Sequence, residues 1–158
     1  MNKRKLLPRA VLVAILLALP AAADAPPTQY DRFDADSLTI KDTFTKIEWD
    51  RKGVFKSDFN GAAGNCALLT SLQSSGRLPS VKELLTLVDE EPHLEYEFND
   101  NVPKMIDRGA FGGTPIDSPY WTSTPANAAG DMVWTVSFKT GLMSPIAKTS
   151  MANARCMR

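Results

Sequence analysis

Three short strings in fixed order constrain the fold more than any other feature of the chain: Arg77-Leu78-Pro79-Ser80-Val81-Lys82-Glu83-Leu84-Leu85, then Tyr120-Trp121-Thr122-Ser123-Thr124-Pro125, then Ala154-Arg155-Cys156-Met157-Arg158 at the end. The first reads as a rigid turn that opens a helix. Pro79 fixes its own backbone and restricts Leu78 before it, while Ser80 and Glu83 have the spacing of a capping box. The second string starts an aromatic strand and the third is a strand carrying a cysteine. None of the three can bury its apolar side alone, so their order predicts one compact domain closed by its own C-terminus.

Residues 1–23 combine Lys3, Arg4, Lys5 and Arg9 with the apolar run Ala10 to Leu19 and small residues at Ala21 and Ala23. That is the pattern of a secretory signal peptide, expected to be cut before Asp24. The run is shorter than the ~20 residues a spanning helix needs, so no stable membrane insertion is expected after cleavage. Residues 24–29 read as an extended leader and 30–158 as the domain, about the size of one core. The whole chain balances 18 basic against 18 acidic residues. Without the segment 1–23, 14 basic residues face 18 acidic ones, a net charge of −4. Such a balance disfavours nucleic acid, which wants a clustered positive field. Lys139, Lys148, Arg155 and Arg158 make the last strands locally basic, yet solvated lysines pointing in different directions are the expectation there.

Alternation over Leu38 to Lys41 and Lys46 to Asp50 predicts a hairpin with Trp49 inward and Glu48 and Asp50 outward. A helix capped by Ser57 or Asp58 follows, with Phe59, Ala62, Ala63, Cys66 and Leu69 on one face. The second helix carries Val81, Leu84, Leu85 and Val88. From Asp89 to Pro119 periodicity disappears among glycines and prolines, and the stretch reads as a long irregular loop of the kind that often carries function. Strands return at Tyr120 to Thr124, Met132 to Phe138, Leu142 to Ile146 and Met151 to Met157. The two cysteines, Cys66 and Cys156, read first as one disulfide in an exported chain, with free thiols or metal ligation as the alternative.

The Arg-Leu-Pro-x-x-Lys-Glu-Leu string, Ile106-Asp107 followed by Phe111 and Thr114-Pro115, the Trp-x-Ser-Thr-Pro string, Trp134-x-Val136-x-Phe138 and the terminal Arg-Cys-x-Arg together resemble the Lcl C-terminal domain family over about Tyr30 to Arg158. The resemblance implies an α+β fold of the C-type-lectin-like and formylglycine-generating-enzyme group: two helices packed on a curled antiparallel sheet, a long irregular loop and one disulfide. It also implies that Cys66 and Cys156 are the pair. One family member belongs to a bacterial collagen-like adhesin that binds sulfated polysaccharides; this chain has no collagen repeat.

The acidic stretch of the loop supplies oxygen donors of the type calcium takes, with Glu95, Glu97 and Asp100 as the candidate ligands. Glu91-Pro92-His93 differs from the Glu-Pro-Asn of lectin sugar sites, so a solvated acidic loop is expected and no cofactor is required. If an aromatic reaches a ligand it is Tyr120, with Glu95, Glu97, Asn99 and Asp100 as polar partners, whereas Trp121 and Trp134 read as core. Arg77 reads as a donor to loop carbonyls. Catalysis finds little support: there is no Gly-x-Ser-x-Gly, no zinc spacing and a single histidine, His93. The expectation is a periplasmic or secreted, non-enzymatic module binding a glycan or envelope ligand through the 89–119 region. The alternative is a protein-interaction or structural envelope module.

Overall fold

The computed structural model describes residues 26, 28–31, 38–97 and 100–158; the side chains at 91, 93, 95–97, 100, 101 and 108 lie outside that description. Strands β1 (Thr39–Lys41) and β2 (Glu48–Asp50) form the expected hairpin, with Ile40 opposite Trp49. Asp42 shapes its turn by accepting from the amides of Phe44 and Thr45 at 2.8 and 3.0 Å. Strand β3 (Phe55–Ser57) leads into α1 (Phe59–Leu68), where the Asp58 side chain accepts from the Gly61 amide. Ala62 and Cys66 are the buried positions of α1, as its spacing predicts. A 3-10 turn at Thr70–Leu72 and the Arg77-Leu78-Pro79 segment follow. Helix α2 (Val81–Leu85) then opens with the predicted capping box in both directions.

Val88 does not continue α2. It starts β4 (Val88–Glu97), which pairs antiparallel with β5 (Asp100–Ile106). After α3 (Arg108–Phe111) come β6 (Tyr120–Pro125), β7 (Met132–Val136), β8 (Met143–Ala147) and β9 (Ala152–Ala154). Much of the stretch expected to be an irregular loop is therefore a hairpin and a short helix. Pairing with a partner strand, not internal periodicity, orders the first half of it.

The main sheet has the order β3-β9-β6-β7-β8. It is mixed, not antiparallel throughout: β9 runs parallel to β6, with Tyr120 opposite Asn153, and antiparallel to β3. The physical reason is that the chain's end inserts between an early strand and a late one, so it can match the direction of only one of them. The side-chain period of two sends Tyr120 to one face of this sheet and Trp121 to the other. Tyr120 joins Trp49, Leu84, Phe111, Phe138 and Met157, while Trp121 joins Ala62, Leu72, Leu78 and the two cysteines. Apolar layers on both faces explain why the first three residues of β6 are all buried.

Cys66 and Cys156 are disulfide-bonded, with 5.4 Å between their Cα atoms, tying α1 to the end of the chain. The residues after β9 are stitched in on two sides. Met157 bridges to Trp49 and to Arg77, and Arg158 exchanges backbone hydrogen bonds with Glu48 at 2.9 and 3.1 Å. The C-terminus closes the fold.

Candidate functional site

Asp50, expected to face solvent, is buried and only 3 % exposed. The strand's outward position is covered because the 51–53 turn folds back over it. An added Cβ on Gly53 would lie 1.9 Å from Asp50 Oδ2, so only glycine permits this approach. Burial raises the Asp50 carboxyl above the usual carboxylate range, and the charge of Arg155 partly offsets that. Oδ1 accepts from the Ser71 hydroxyl at 3.4 Å, and the backbone amides of Gly53 and Lys52 also favour the ionised carboxylate.

Arg155 is the organising side chain. It follows β9, is 1 % exposed, and its guanidinium sits 4.7 Å from the centre of the Phe111 ring. Its Nη1 donates to the carbonyls of Asp50 and Arg51 at 2.9 and 3.2 Å, and its Nη2 to Thr114 Oγ1 at 2.8 Å. Thr114 in turn donates to the Phe111 carbonyl at 2.6 Å. One buried cation thus joins the 50–51 turn to the segment after α3. Desolvation pushes the Arg155 pKa down, with Tyr120 and Asp50 acting in the opposite sense, and the group stays charged. The Tyr120 hydroxyl also hydrogen-bonds the guanidinium, whereas Nε, itself inaccessible to solvent, has no hydrogen-bond partner among the described residues.

The segment around α3 is shaped from both ends. Asp107 accepts from the Ala110 amide at 2.6 Å to start the helix. Arg51 donates from Nε to the Ala110 carbonyl at 3.1 Å and from Nη2 to that of Gly109 at 3.4 Å. Between the two segments lies a cavity of about 370 Å³, with Arg51, Lys52 and Val54 on one side, Gly109 and residues 112–115 on the other, and Arg155 completing the wall.

The residues expected to carry binding fall elsewhere. Tyr120 is fully buried, its hydroxyl donating to the Pro115 carbonyl at 2.8 Å and its ring set edge-on to Phe138 at 4.8 Å. It cannot present a face to a ligand, because the sheet has an apolar layer on its side too. Burial raises its pKa. Glu95 and Glu97 lie on β4 and Asp100 on β5, with Glu97 opposite Asp100 near the hairpin tip. Their side chains lie outside the description, as does Asn99 entirely, so the calcium expectation falls outside the described residues. Trp121 is buried, with Nε1 donating to the Ser57 carbonyl at 2.9 Å, and Trp134 is half-buried. Arg77 donates to the Leu78 carbonyl and grips Glu83 with both terminal nitrogens, a scaffold role. Three of the four late cations are separately engaged: Arg155 is buried, Arg158 pairs with Glu48, and Lys148 lies over the Phe59 ring.

Of the motif residues, Thr114, Pro115 and Arg155 line the cleft, while Asp107 and Phe111 shape the segment behind them. A family model described as the Lcl C-terminal domain matches residues 38–158. The chain belongs to the Lcl C-terminal domain family. Comparison with curated proteins finds no significant match. In this Lcl C-terminal domain the lining residues that sequence reasoning passed over are Arg51, Lys52 and Val54. Arg155 and Thr114 stood in the recognised strings, but nothing in their spacing disclosed that they meet. Arg51-Lys52 carries no motif at all.

Proposed function

We propose that this Lcl C-terminal domain is an exported, non-enzymatic binding module that takes a glycan or cell-envelope ligand at the cleft between the 107–115 segment and the 51–54 turn. One observation carries the reading: a concave site of about 370 Å³ is walled by cations and by glycine backbone, with Gly109 and residues 112–115 from the 89–119 region on one side and Arg51, Lys52, Val54 and Arg155 from outside that region completing it. The Thr114 hydroxyl, the one hydroxyl lining it among the described residues, accepts from Arg155 and donates to the Phe111 carbonyl, which suits a strut better than a nucleophile. Export is supported by the signal-like residues 1–23 and by a disulfide. A C-type-lectin-like architecture is supported by short helices on a sheet, a terminal strand inside that sheet and the bond from α1 to the chain end.

A glycan array probed with the purified protein, first with calcium and then with chelator, tests the reading. Capture that survives substitution of cleft residues would move the site elsewhere, and no capture in either condition would remove the glycan ligand. A protein-interaction role is favoured by a different observation, the exposed Leu94, Leu142 and Met143.

A further inference from the structure

We propose that the outer face of the β4–β5 hairpin, together with the β7–β8 turn, is a docking surface for a cationic amphipathic helix of a partner protein. This surface shares no lining residue with the cleft, so it is independent of the glycan reading. Lys104 and Ile106 of β5 are buried, so by the period of two Pro103 and Met105 lie on the outward face, and Leu94 is registered opposite Pro103. The Met105 amide donates to the Phe138 carbonyl at 2.7 Å, and Gly141 packs so closely that a Cβ added there would lie 3.1 Å from Met105 Sδ. Leu142 and Met143 follow directly. The hairpin and the turn thus present one apolar surface, on which Leu94, Leu142 and Met143 are 57, 68 and 47 % exposed. Large apolar groups gathered and exposed in this way mark interaction sites on folded proteins.

Charge selects the occupant. Strands β4 and β5 carry six acidic residues against one lysine, Lys104, which is buried. A second copy would bring two such hairpins together, and an anionic lipid surface would meet the same field, so like charge opposes both. A partner with lysines or arginines beside its apolar side chains is favoured instead, and Lys139, exposed in the turn, keeps those cations at the hairpin end. Backbone chemistry selects helix over strand. The Met105 amide points away from β4, so by alternation the amide that Pro103 lacks would have pointed the same way, and Pro145 leaves a similar gap on β8. An added strand would find missing donors on either element. An amphipathic helix satisfies its own backbone and needs only side-chain contact, for which the flexible thioethers of Met105 and Met143 are suited. Helix α1 of this chain carries no lysine or arginine, so it does not supply the occupant.

The test is a titration of the purified protein, followed by amide chemical shifts, with three peptides of about 18 residues. One spaces leucine and lysine to place leucine on a single helical face, one scrambles that composition, and one keeps the pattern with glutamate for lysine. The patterned lysine peptide should shift the amides of Met105, Leu142 and Met143 and leave those of 112–115 in place. Substituting Leu142→Ser and Met143→Ser together should weaken it by about tenfold or more, Leu142→Met alone should retain it, and raised salt should weaken it. Both side chains are exposed, so the double variant's thermal melt should match the parent's. Equal binding of the scrambled peptide would overturn the apolar surface, and equal binding of the glutamate peptide would overturn the charge argument. No shift with any peptide, or no effect of the double substitution, would overturn the proposal outright. Self-association that the double substitution abolishes would give the face to a second copy, and sedimentation with phosphatidylglycerol vesicles abolished in the same way would give it to lipid; either result overturns the helix. A blank glycan array would sink the cleft reading alone.

Discussion

Two glycines and one glutamate show how single residues decide the local outcome. Gly53 has no room for a side chain, because Asp50 Oδ2 stands where its Cβ would be and Asp50 is itself buried. Gly64, in the middle of α1, would place a Cβ in open space. Gly53→Ala should therefore destabilise by about 1–3 kcal/mol through forced displacement, while Gly64→Ala should stabilise by about 0.5–1 kcal/mol by helix propensity. Urea unfolding of the two variants beside the parent checks both signs. Glu83 is held to about 2 chiefly by its hydrogen bonds from Arg77, against a normal value of 4.5. A depressed acid contributes stability that is full above its unfolded pKa and is lost as pH falls towards its folded value. Glu83→Gln keeps an acceptor for the Ser80 amide but removes the charge. The variant's urea midpoint should thus fall less than the parent's between about pH 4.5 and pH 2. Identical acid slopes would show that the Arg77 pair adds nothing to stability, as exposed pairs sometimes do.

At the scale of elements, the far edge of the main sheet is protected by a residue that weakens most strands. The Ser137 amide donates to the Leu142 carbonyl at 2.9 Å, which sets the alternation of the β7–β8 ladder. By that alternation Trp134 and Pro145, which lie opposite each other, form a non-hydrogen-bonded pair. The donor that Pro145 lacks would have pointed off the free edge, so β7 loses nothing and an incoming strand finds a gap. Exposed Met143 and Leu142 beside it make that protection matter. Pro145→Val should leave the fold's stability within about 0.5 kcal/mol while promoting self-association, seen as an earlier elution volume and increased light scattering at matched concentration. Unchanged association would mean that side chains, not the missing donor, guard this edge. The hairpin of β4 and β5 was hidden in the sequence by the same residue type: Pro92 and Pro103 lie within its strands and acidic residues fill many of the remaining positions, leaving little apolar alternation to read. Helix α2 was legible because Ser80 and Glu83 advertise its start chemically.

Across the whole molecule, the strings that fixed the family are mostly scaffold, and what they hold apart is the cleft. Trp49, Trp121 and the cysteine pair could be placed in the core from the sequence because burial follows from residue type and period. The parallel β6–β9 pair and the meeting of Arg155 with Thr114 could not, since strand direction and contacts between residues 41 apart in sequence depend on how the chain returns. Closure by the C-terminus now has two candidate supports: a covalent one at Cys66–Cys156, and a hydrogen-bonded one in which the Cys156 carbonyl accepts from the Asp50 amide and Arg158 pairs with Glu48. The disulfide spans 90 residues, and the chain-entropy argument assigns such a loop about 4–5 kcal/mol at most. Helix α1 depends on it more than the sheet does, because Gly64 in its interior costs that helix about 1 kcal/mol relative to alanine. In the double variant Cys66→Ala, Cys156→Ala, the urea midpoint should drop and amides of α1 should exchange before those of β6 and β7. Loss of less than about 1 kcal/mol, with α1 still protected, would assign closure to the Glu48, Asp50 and Arg158 contacts instead. Because Arg155 directly precedes Cys156, loosening the terminus should also release the cleft wall, so amides at 112–115 are expected to lose protection together with α1.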